Sequence, residues 1–422
     1  MHHFTYKQGV LHAEDVSLAE IAKAVGTPFY CYSDATLSRH YQVFDQAFEG
    51  TDRMVCYAMK ANSNLAVVKT LGDLGAGADV VSEGELHRAL AVGIAPEKIV
   101  FSGVGKTERE MRLGLEVGIS CFNVESEPEL ALLSEVASSM GKTAKVSIRV
   151  NPDVDAKTHE KITTGKADNK FGISYERAEE VYDYAAHLPG LKISGIDMHI
   201  GSQITDLEPY TQAYTLMAEM VERLRANGHE IDHLDMGGGL GVPYRGTNDI
   251  PPHPDEYAAM VKKTVGHLGC KLVFEPGRMI AGNAGIFVTS VIYSKPAGEK
   301  TFLITDGAMN DLIRPTLYDA YHDVWPVDEL TKNKPQVYGD IVGPVCETGD
   351  YLARSRDLPD AQRGEMLAFL TAGAYGAVQS GTYNSRLLVP EVMVNGSAFS
   401  VIRPRKTYDE LLGLDEIASW QT

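Results

Sequence analysis

Two spacings of apolar residues alternate along the middle of the chain. Short runs with strand character occur at Met54–Met59, Ala78–Val81, Lys98–Phe101, Ser120–Val124, Lys145–Val150, Lys192–His199, Ile231–Met236 and Lys271–Phe274. Between them, apolar residues recur three and four apart at Glu83–Val92, Lys106–Val117, Glu127–Met140, Tyr175–His187, Tyr210–Asn227 and Asp255–Leu268, which predicts helices. Gly93, Gly118, Gly141 and Gly228 follow four of these stretches and read as helix stops. Eight strands alternating with helices over roughly 220 residues predict a parallel α/β arrangement. Eight units favour a closed (β/α)8 TIM barrel over an open sheet.

The flanks read differently. Ser17–Val25 is a short capped helix stopped at Gly26-Thr27-Pro28, and Phe29–Tyr32 is a strand of alternating aromatics. Ser33 caps a helix to about Phe48, with Leu37, Tyr41, Phe44 and Phe48 near helical spacing. After about Gly282 the alternation stops. Gly285–Tyr293, Thr301–Thr305, Gln336–Val342, Met366–Thr371 and Glu391–Asn395 read as strands, most of them with no comparable helix between, and Asn395-Gly396 is a hairpin signal. The expected domains are a barrel over 34–280 and a β domain over 281–422, with residues 1–33 joining the second. The Phe29–Tyr32 strand is also a candidate partner for the first barrel strand.

Composition narrows the function classes. The length of 422 residues suits two domains or three. A formal net charge of −18 disfavours nucleic-acid and anionic-membrane partners. Five scattered cysteines without CxxC spacing argue against a disulfide framework or a zinc site, so no metal is expected and a reducing cytoplasm fits best. MHHFTYKQGV lacks the apolar core of a signal peptide, and no apolar run reaches the roughly 20 residues of a membrane span.

In a barrel of this kind, chemistry gathers where strands end. The first strand ends at Lys60, where lost hydration would lower the amine's pKa and ready it to take up an aldehyde. A lysine snorkelling to solvent is the bland alternative. The second strand presents Asp79 and Ser82, and the sixth ends in His199-Ile200-Gly201-Ser202-Gln203. The seventh ends in Gly237-Gly238-Gly239-Leu240-Gly241, and the eighth in Glu275-Pro276-Gly277-Arg278. Glycines let backbone N–H groups converge on a phosphate, although a run of them also suits a plain barrel-end loop. His199 offers a ring to stack on a heterocycle, against the usual case of a satisfied half-buried histidine. Glu275 could hold a proton on a ring nitrogen, against a plain salt bridge to Arg278. An amine, a phosphate nest, a stacking ring and a carboxylate together describe a site for pyridoxal 5′-phosphate.

The motifs YAMKAN, HIGSQ, GGGLG, EPGR, GPVCETGD and GAYG, in this order over nearly the whole chain, resemble those of the group IV pyridoxal-phosphate decarboxylases of the alanine-racemase fold. Within that group they are most similar to the diaminopimelate decarboxylases. The resemblance implies a (β/α)8 barrel followed by a β-sandwich or β-barrel domain, working as a homodimer with shared active sites. It implies roles by position. Lys60 carries the cofactor, His199 stacks on its ring, and Glu275 pairs with the ring nitrogen. Asp79, Ser202, Gly237, Gly238, Gly239, Gly277, Arg278 and Tyr375 complete the cofactor contacts. Arg278, Arg314, Tyr318, Glu347 and Tyr375 contact substrate, and Cys346 with Glu347 comes from the second subunit. Read without the family, Arg314 and Tyr318 would be an ordinary surface pair and Cys346 an inert thiol. Met59 departs from the smaller or branched residue common in the lysine motif, a matter of packing alone. Arg149, at the end of the fifth strand, is a further residue near the barrel mouth with no role assigned.

Glu275 stands where racemases of the fold carry arginine, which favours decarboxylation. Cys346-Glu347 stands where decarboxylases of simple basic amino acids carry Cys-Asp. Arg314 could grip a distal carboxylate with two bonds. The expected substrate is therefore meso-diaminopimelate, yielding L-lysine. The alternatives are another group IV decarboxylase, acting on carboxynorspermidine or an aminoglycoside-pathway carboxylate, and a regulatory homologue without catalysis.

Overall fold

The structure, a computed structural model, describes residues 2–156, 164, 170–245 and 250–421. The chain divides into two compact units. One comprises Ser38–Pro243 and Thr247–Ile280, the other Met1–Leu37, Tyr244–Gly246 and Ala281–Thr422.

The first of these units is a closed parallel barrel. Its eight strands are Arg53–Ala58, Gly77–Val80, Ile99–Phe101, Cys121–Val124, Ala144–Asn151, Leu191–Asp197, His233–Asp235 and Lys271–Phe274. Each pairs in parallel with the next, and the eighth returns to the first with Leu272 opposite Arg53. Closure leaves no unpaired sheet edge. Gly93, Gly118, Gly141 and Gly228 all take positive φ, as helix-terminating glycines should. The helix Leu65–Asp73 is not among the expected elements: Asn62 and Asn64 read as loop residues, yet Asn64 Oδ1 caps this helix by accepting from the Ala66 N–H. That cap starts a new turn of chain directly after Lys60.

Side chains alternate across a strand, so every second residue can face the interior. Toward the strand starts, Lys145, Lys192, His233 and Lys271 border one cavity. Next comes an apolar cluster of Met54, Cys56, Val100, Cys121 and Val273. Toward the strand ends lie buried Asp197, Asp235 and Glu275, whose carboxylate oxygens approach within 4.8 Å of one another. The barrel interior is thus sorted by charge along its axis. A bulge between Ile193 and Gly195 shifts the sixth strand's register and sets Asp197 beside Arg149 and Asp235.

The second unit is built on β-sheet. Gly285–Ala297 is its long central strand, flanked by Lys300–Thr305 on one side and Phe29–Ser33 on the other. Phe29–Ser33 does not join the first barrel strand; it lies between Gly285–Ala297 and Glu391–Asn395. Its alternate residues Phe29 and Cys31 enter a core with Phe4, Leu11, Ile286, Val288 and Val392, which supplies the burial that fixes it there. Besides the short strands Phe4–Lys7, Val10–Ala13, Val16–Ser17 and Val324–Pro326, the strands Tyr351–Pro359 and Ala398–Arg403 lie outside the expected set. Both end the sheet order, and exposed polar side chains interrupt their apolar pattern.

Candidate active site

The first strand ends in a short turn, Met59–Ala61, that carries Lys60 out of the barrel wall. Its Nζ donates to Asp79 Oδ2 at 2.8 Å. The lysine side chain is 36 % exposed while that of Asp79 is fully buried, so the loss of hydration expected at a strand end is small here. Asp79, expected among the cofactor contacts, is therefore the ion-pair partner of the lysine in this chain. Its other oxygen, Oδ1, is buried with no hydrogen-bond partner among the described residues.

Glu275 sits at the end of the eighth strand, neighbour to the first in the closed barrel. Its Oε1 accepts from Ser102 Oγ at 3.1 Å and from Asn123 Nδ2 at 3.3 Å. Asn123 Nδ2 also donates to Asp235 Oδ2 at 3.0 Å. Burial, reinforced by the charges of Asp235, Asp79 and Asp197 and opposed by Lys60, pushes the Glu275 carboxyl well above the usual range. Burial likewise raises Asp235 to about 6. Carboxylates this close in a dry site disfavour one another's ionisation.

His199 follows the sixth strand. The Gly238 N–H donates to its Nδ1 at 3.2 Å, which leaves the remaining proton on Nε2 and fixes a neutral tautomer. Burial first, then the charges of Arg149 and Lys60, hold this imidazole well below its ordinary pKa. Gly237 and Gly239 take φ of +63° and +105°, and a Cβ at either would strike Met198 and His199 or Gly201 and Tyr210. The Glu275 N–H donates to the Gly237 carbonyl at 2.8 Å. The glycine run thus draws three strand ends together, which is a packing role alongside any ligand role. Arg278 donates through Nη2 and Nε to Ser202 Oγ at 2.9 and 3.2 Å, making a cation-and-hydroxyl pair at the same end of the barrel. Gly277 packs against Ala58 and Ala61, close to Lys60 in sequence, where a Cβ would crowd both methyls.

Arg149 is buried, donates to Glu125 Oε1 at 3.1 Å and to the His199 carbonyl at 3.3 Å, and lies 4.0 Å from Asp197. Sequence reasoning singles out neither Glu125 nor Ser102, Asn123, Asp197 and Asp235. The available signal is a polar residue inside an otherwise apolar strand, as in Cys121–Val124 with Asn123 at its centre.

The other expected residues belong to the second unit. Arg314 is buried at the start of a one-turn helix, Arg314–Tyr318. Its Nη1 lies 2.9 Å from His322 Nε2, and its guanidinium stacks 4.8 Å over the Tyr244 ring. His322 Nδ1 is 2.8 Å from the Leu370 carbonyl, which can only accept, so Nδ1 carries the proton and Nε2 accepts from the arginine. Arg314 is accordingly no surface residue. The Tyr318 hydroxyl accepts from Gln379 Nε2 at 3.3 Å. Cys346 is exposed, its N–H donating to Asn384 Oδ1 at 2.8 Å, while the other four cysteines are free and buried. Glu347 follows it in a tight loop in which its N–H meets the Val345 carbonyl at 2.8 Å. Tyr375 adopts a positive φ of 57°. No helix among the described residues is long and apolar enough to cross a membrane.

Comparison with known proteins shows the family of the chain. Residues 34–282 match the family described as pyridoxal-dependent decarboxylase, pyridoxal binding domain. The chain is 50 % identical over 419 residues to the diaminopimelate decarboxylase of Vibrio cholerae, covering 99 % of each. Its fold is similar to the crystal structure of diaminopimelate decarboxylase from Helicobacter pylori complexed with L-lysine. There the TM-score is 0.90 at 38 % identity, covering 94 % of this chain and 98 % of that one. It is also similar to that of the M. jannaschii enzyme in co-complex with L-lysine, with TM-score 0.93 at 34 % identity and 98 % of both chains covered.

Proposed function

Given that this chain belongs to the pyridoxal-dependent decarboxylase family, and within it to the diaminopimelate decarboxylases, we propose that it converts meso-2,6-diaminopimelate to L-lysine and carbon dioxide, the last step of lysine biosynthesis. The proposed cofactor is pyridoxal 5′-phosphate. When bound, it supplies the electron sink for the bond to the departing carboxylate. The residues fit that group. Lys60 offers an amine and Glu275 a buried carboxyl for a ring nitrogen, on adjacent strands. His199 offers a neutral ring, and Ser202 with Arg278 a cation and hydroxyl for an anionic end.

The observation that carries the reaction type is the acid at the eighth strand end, held by Ser102 and Asn123. Glu275 brings its own proton into a dry site and holds it at the ring nitrogen. Lys60, now held by Asp79 at 2.8 Å, would hold the cofactor through its amine, with Asp79 as the nearby counter-charge. Cys346 delivers the proton that replaces the departing carboxylate at the substrate's Cα. Arg314, with Tyr318 and Glu347, takes the distal amino-acid group: a guanidinium for the carboxylate and an acid for the ammonium. The free cysteines suit a reducing cytoplasm.

The test is lysine and carbon dioxide release from meso-diaminopimelate by the purified protein, with ornithine and lysine as comparison substrates. Turnover of diaminopimelate is expected to dominate, because the other two leave Arg314 without a carboxylate. Arg314→Ala is expected to lower kcat/KM for diaminopimelate on the order of 10²-fold, since a buried charged partner is worth about 2–5 kcal/mol. Comparable kcat/KM for ornithine and diaminopimelate in the wild type would overturn the substrate and favour the related decarboxylases.

The active site is proposed to draw Lys60 from one chain and Cys346 with Glu347 from its partner in a homodimer. Mixing inactive Lys60→Ala with inactive Cys346→Ala protein should then restore activity at about one site in four after free chain exchange. Exchange verified by mass labels without any recovered turnover would rule out sharing.

A further inference from the structure

The strand starts of the barrel form a second charged chamber, separate from the site at the strand ends. It is a cavity of about 210 Å3. Lys145 and Lys192 stand directly opposite each other on adjacent strands, and Lys271 stands opposite His233 on the next pair. Like charges placed opposite on neighbouring strands are destabilising. None of the three lysine side chains has an ion-pair or hydrogen-bond partner among the described residues; Lys145 and Lys192 are exposed and Lys271 is half-buried at the mouth of the cavity, and Asp232 is the one acid on the lining. This is unexpected in a chain with 57 acidic and 39 basic residues. Elsewhere on this barrel lysines find acids readily, as Lys69 does with Asp73 and Lys106 with Glu129.

The walls are built as well as charged. His233 stacks into space left by Gly195, where a Cβ would collide with the imidazole. Burial drives that imidazole down to about 4, with the charges of Lys271 and Lys145 acting the same way and Asp232 and a hydrogen bond to the Ser194 backbone acting against them, so it is uncharged at neutral pH and its N–H is already in use. Ser194, buried on the lining, donates its hydroxyl to the Val146 carbonyl at 3.2 Å and braces the wall. The apolar cluster around Met54 and Val273 floors the chamber and insulates it from the acidic layer above. Three ammoniums around the mouth of a cavity with an apolar floor are complementary to one chemical class. We propose that this chamber binds a small multivalent oxyanion, inorganic phosphate or a short polycarboxylate, at the barrel end opposite the candidate active site.

The experiment is isothermal titration calorimetry on the holoenzyme, whose anion-binding region at the strand ends is already filled by cofactor. Inorganic phosphate and citrate are titrated separately, against chloride at matched ionic strength. Saturable binding of one anion per chain is expected, and the tighter of the two identifies the oxyanion class. Lys192→Ala should weaken it roughly tenfold, and Lys192→Met, which keeps most of the stem, should do the same. Lys69→Ala, on an outer helix, should leave it unchanged. Without anion, Lys192→Ala should raise the melting temperature, because Lys145 loses the like charge opposite; with anion, the wild type should gain more than the variant. Absence of saturable binding of either anion below ~10 mM would overturn the proposal, as would equal affinity in wild type, Lys192→Ala and Lys271→Ala.

Discussion

Glu275→Gln is expected to lower turnover about 10²–10³-fold while the protein still folds and still takes up cofactor. The substitution keeps the size of the side chain and its capacity to accept from Ser102 and Asn123. It removes the one thing that matters for the proposed role, a group that can give up a proton to a ring nitrogen and remain as the counter-charge. The buried position makes that loss large, since no solvent molecule can substitute at a residue 6 % exposed. A second readout separates this role from a structural one. In cofactor-free protein the Glu275 carboxyl titrates well above the usual range in the folded state. A carboxyl raised on folding binds more protons folded than unfolded, so its contribution is fully present below the ordinary carboxylate range. That contribution is lost as pH rises through the folded value. Glu275→Gln should therefore lose less stability than the wild type as pH rises from about 4 upward, measured as Tm against pH. Near-normal turnover in the variant would reject the proton-holding role. An unchanged pH–stability profile would reject the electrostatics.

Much of this architecture is legible in the sequence. The barrel can be read because its strands are short apolar runs and its helices carry an apolar stripe, two periodicities that do not mimic each other. Lys60 and Glu275 stand out because each ends an apolar run with a charge, which packing alone does not ask for. Asn123 and Asp235 are hidden for the opposite reason. They sit within strands, and a single polar residue in a short strand is indistinguishable from ordinary alternation until the neighbouring strand is in place. The sequence leaves Arg314 undecided between surface pair and ligand. Its burial depends on His322 and Tyr244, and the latter lies 70 residues upstream. The edge strand Tyr351–Pro359 is masked by Arg354, Arg356 and Asp357, charges that keep an edge from pairing with other chains, and Ser400 breaks the apolar run of Ala398–Arg403. The basic chamber has no sequence signature at all, because Lys145, Lys192 and Lys271 stand at strand starts, where a lysine reads as a solvated flank. Only the closed register shows that they face one cavity.

Lys60→Ala is expected to abolish covalent cofactor attachment and to reduce turnover on the order of 10³-fold or more. The argument begins with its neighbour. Asp79 has a fully buried side chain with one oxygen on Lys60 and the other without a partner among the described residues. Removing the lysine strands that carboxylate, and an unpaired charge in a dry site is costly unless it takes up a proton. The variant should therefore be less stable than the wild type, and adding Asp79→Asn should recover part of the loss, since an amide carries no stranded charge. If the lysine were only a structural partner of Asp79, the double variant would recover stability and activity together. Under the proposed role it recovers stability alone. Attachment itself is read without activity: borohydride reduction of the wild type with pyridoxal 5′-phosphate should fix the label on the peptide containing Lys60, and Lys60→Ala should show no labelled peptide. Label on a different lysine in the wild type would displace Lys60 from the chemistry and leave it as the counter-ion of Asp79.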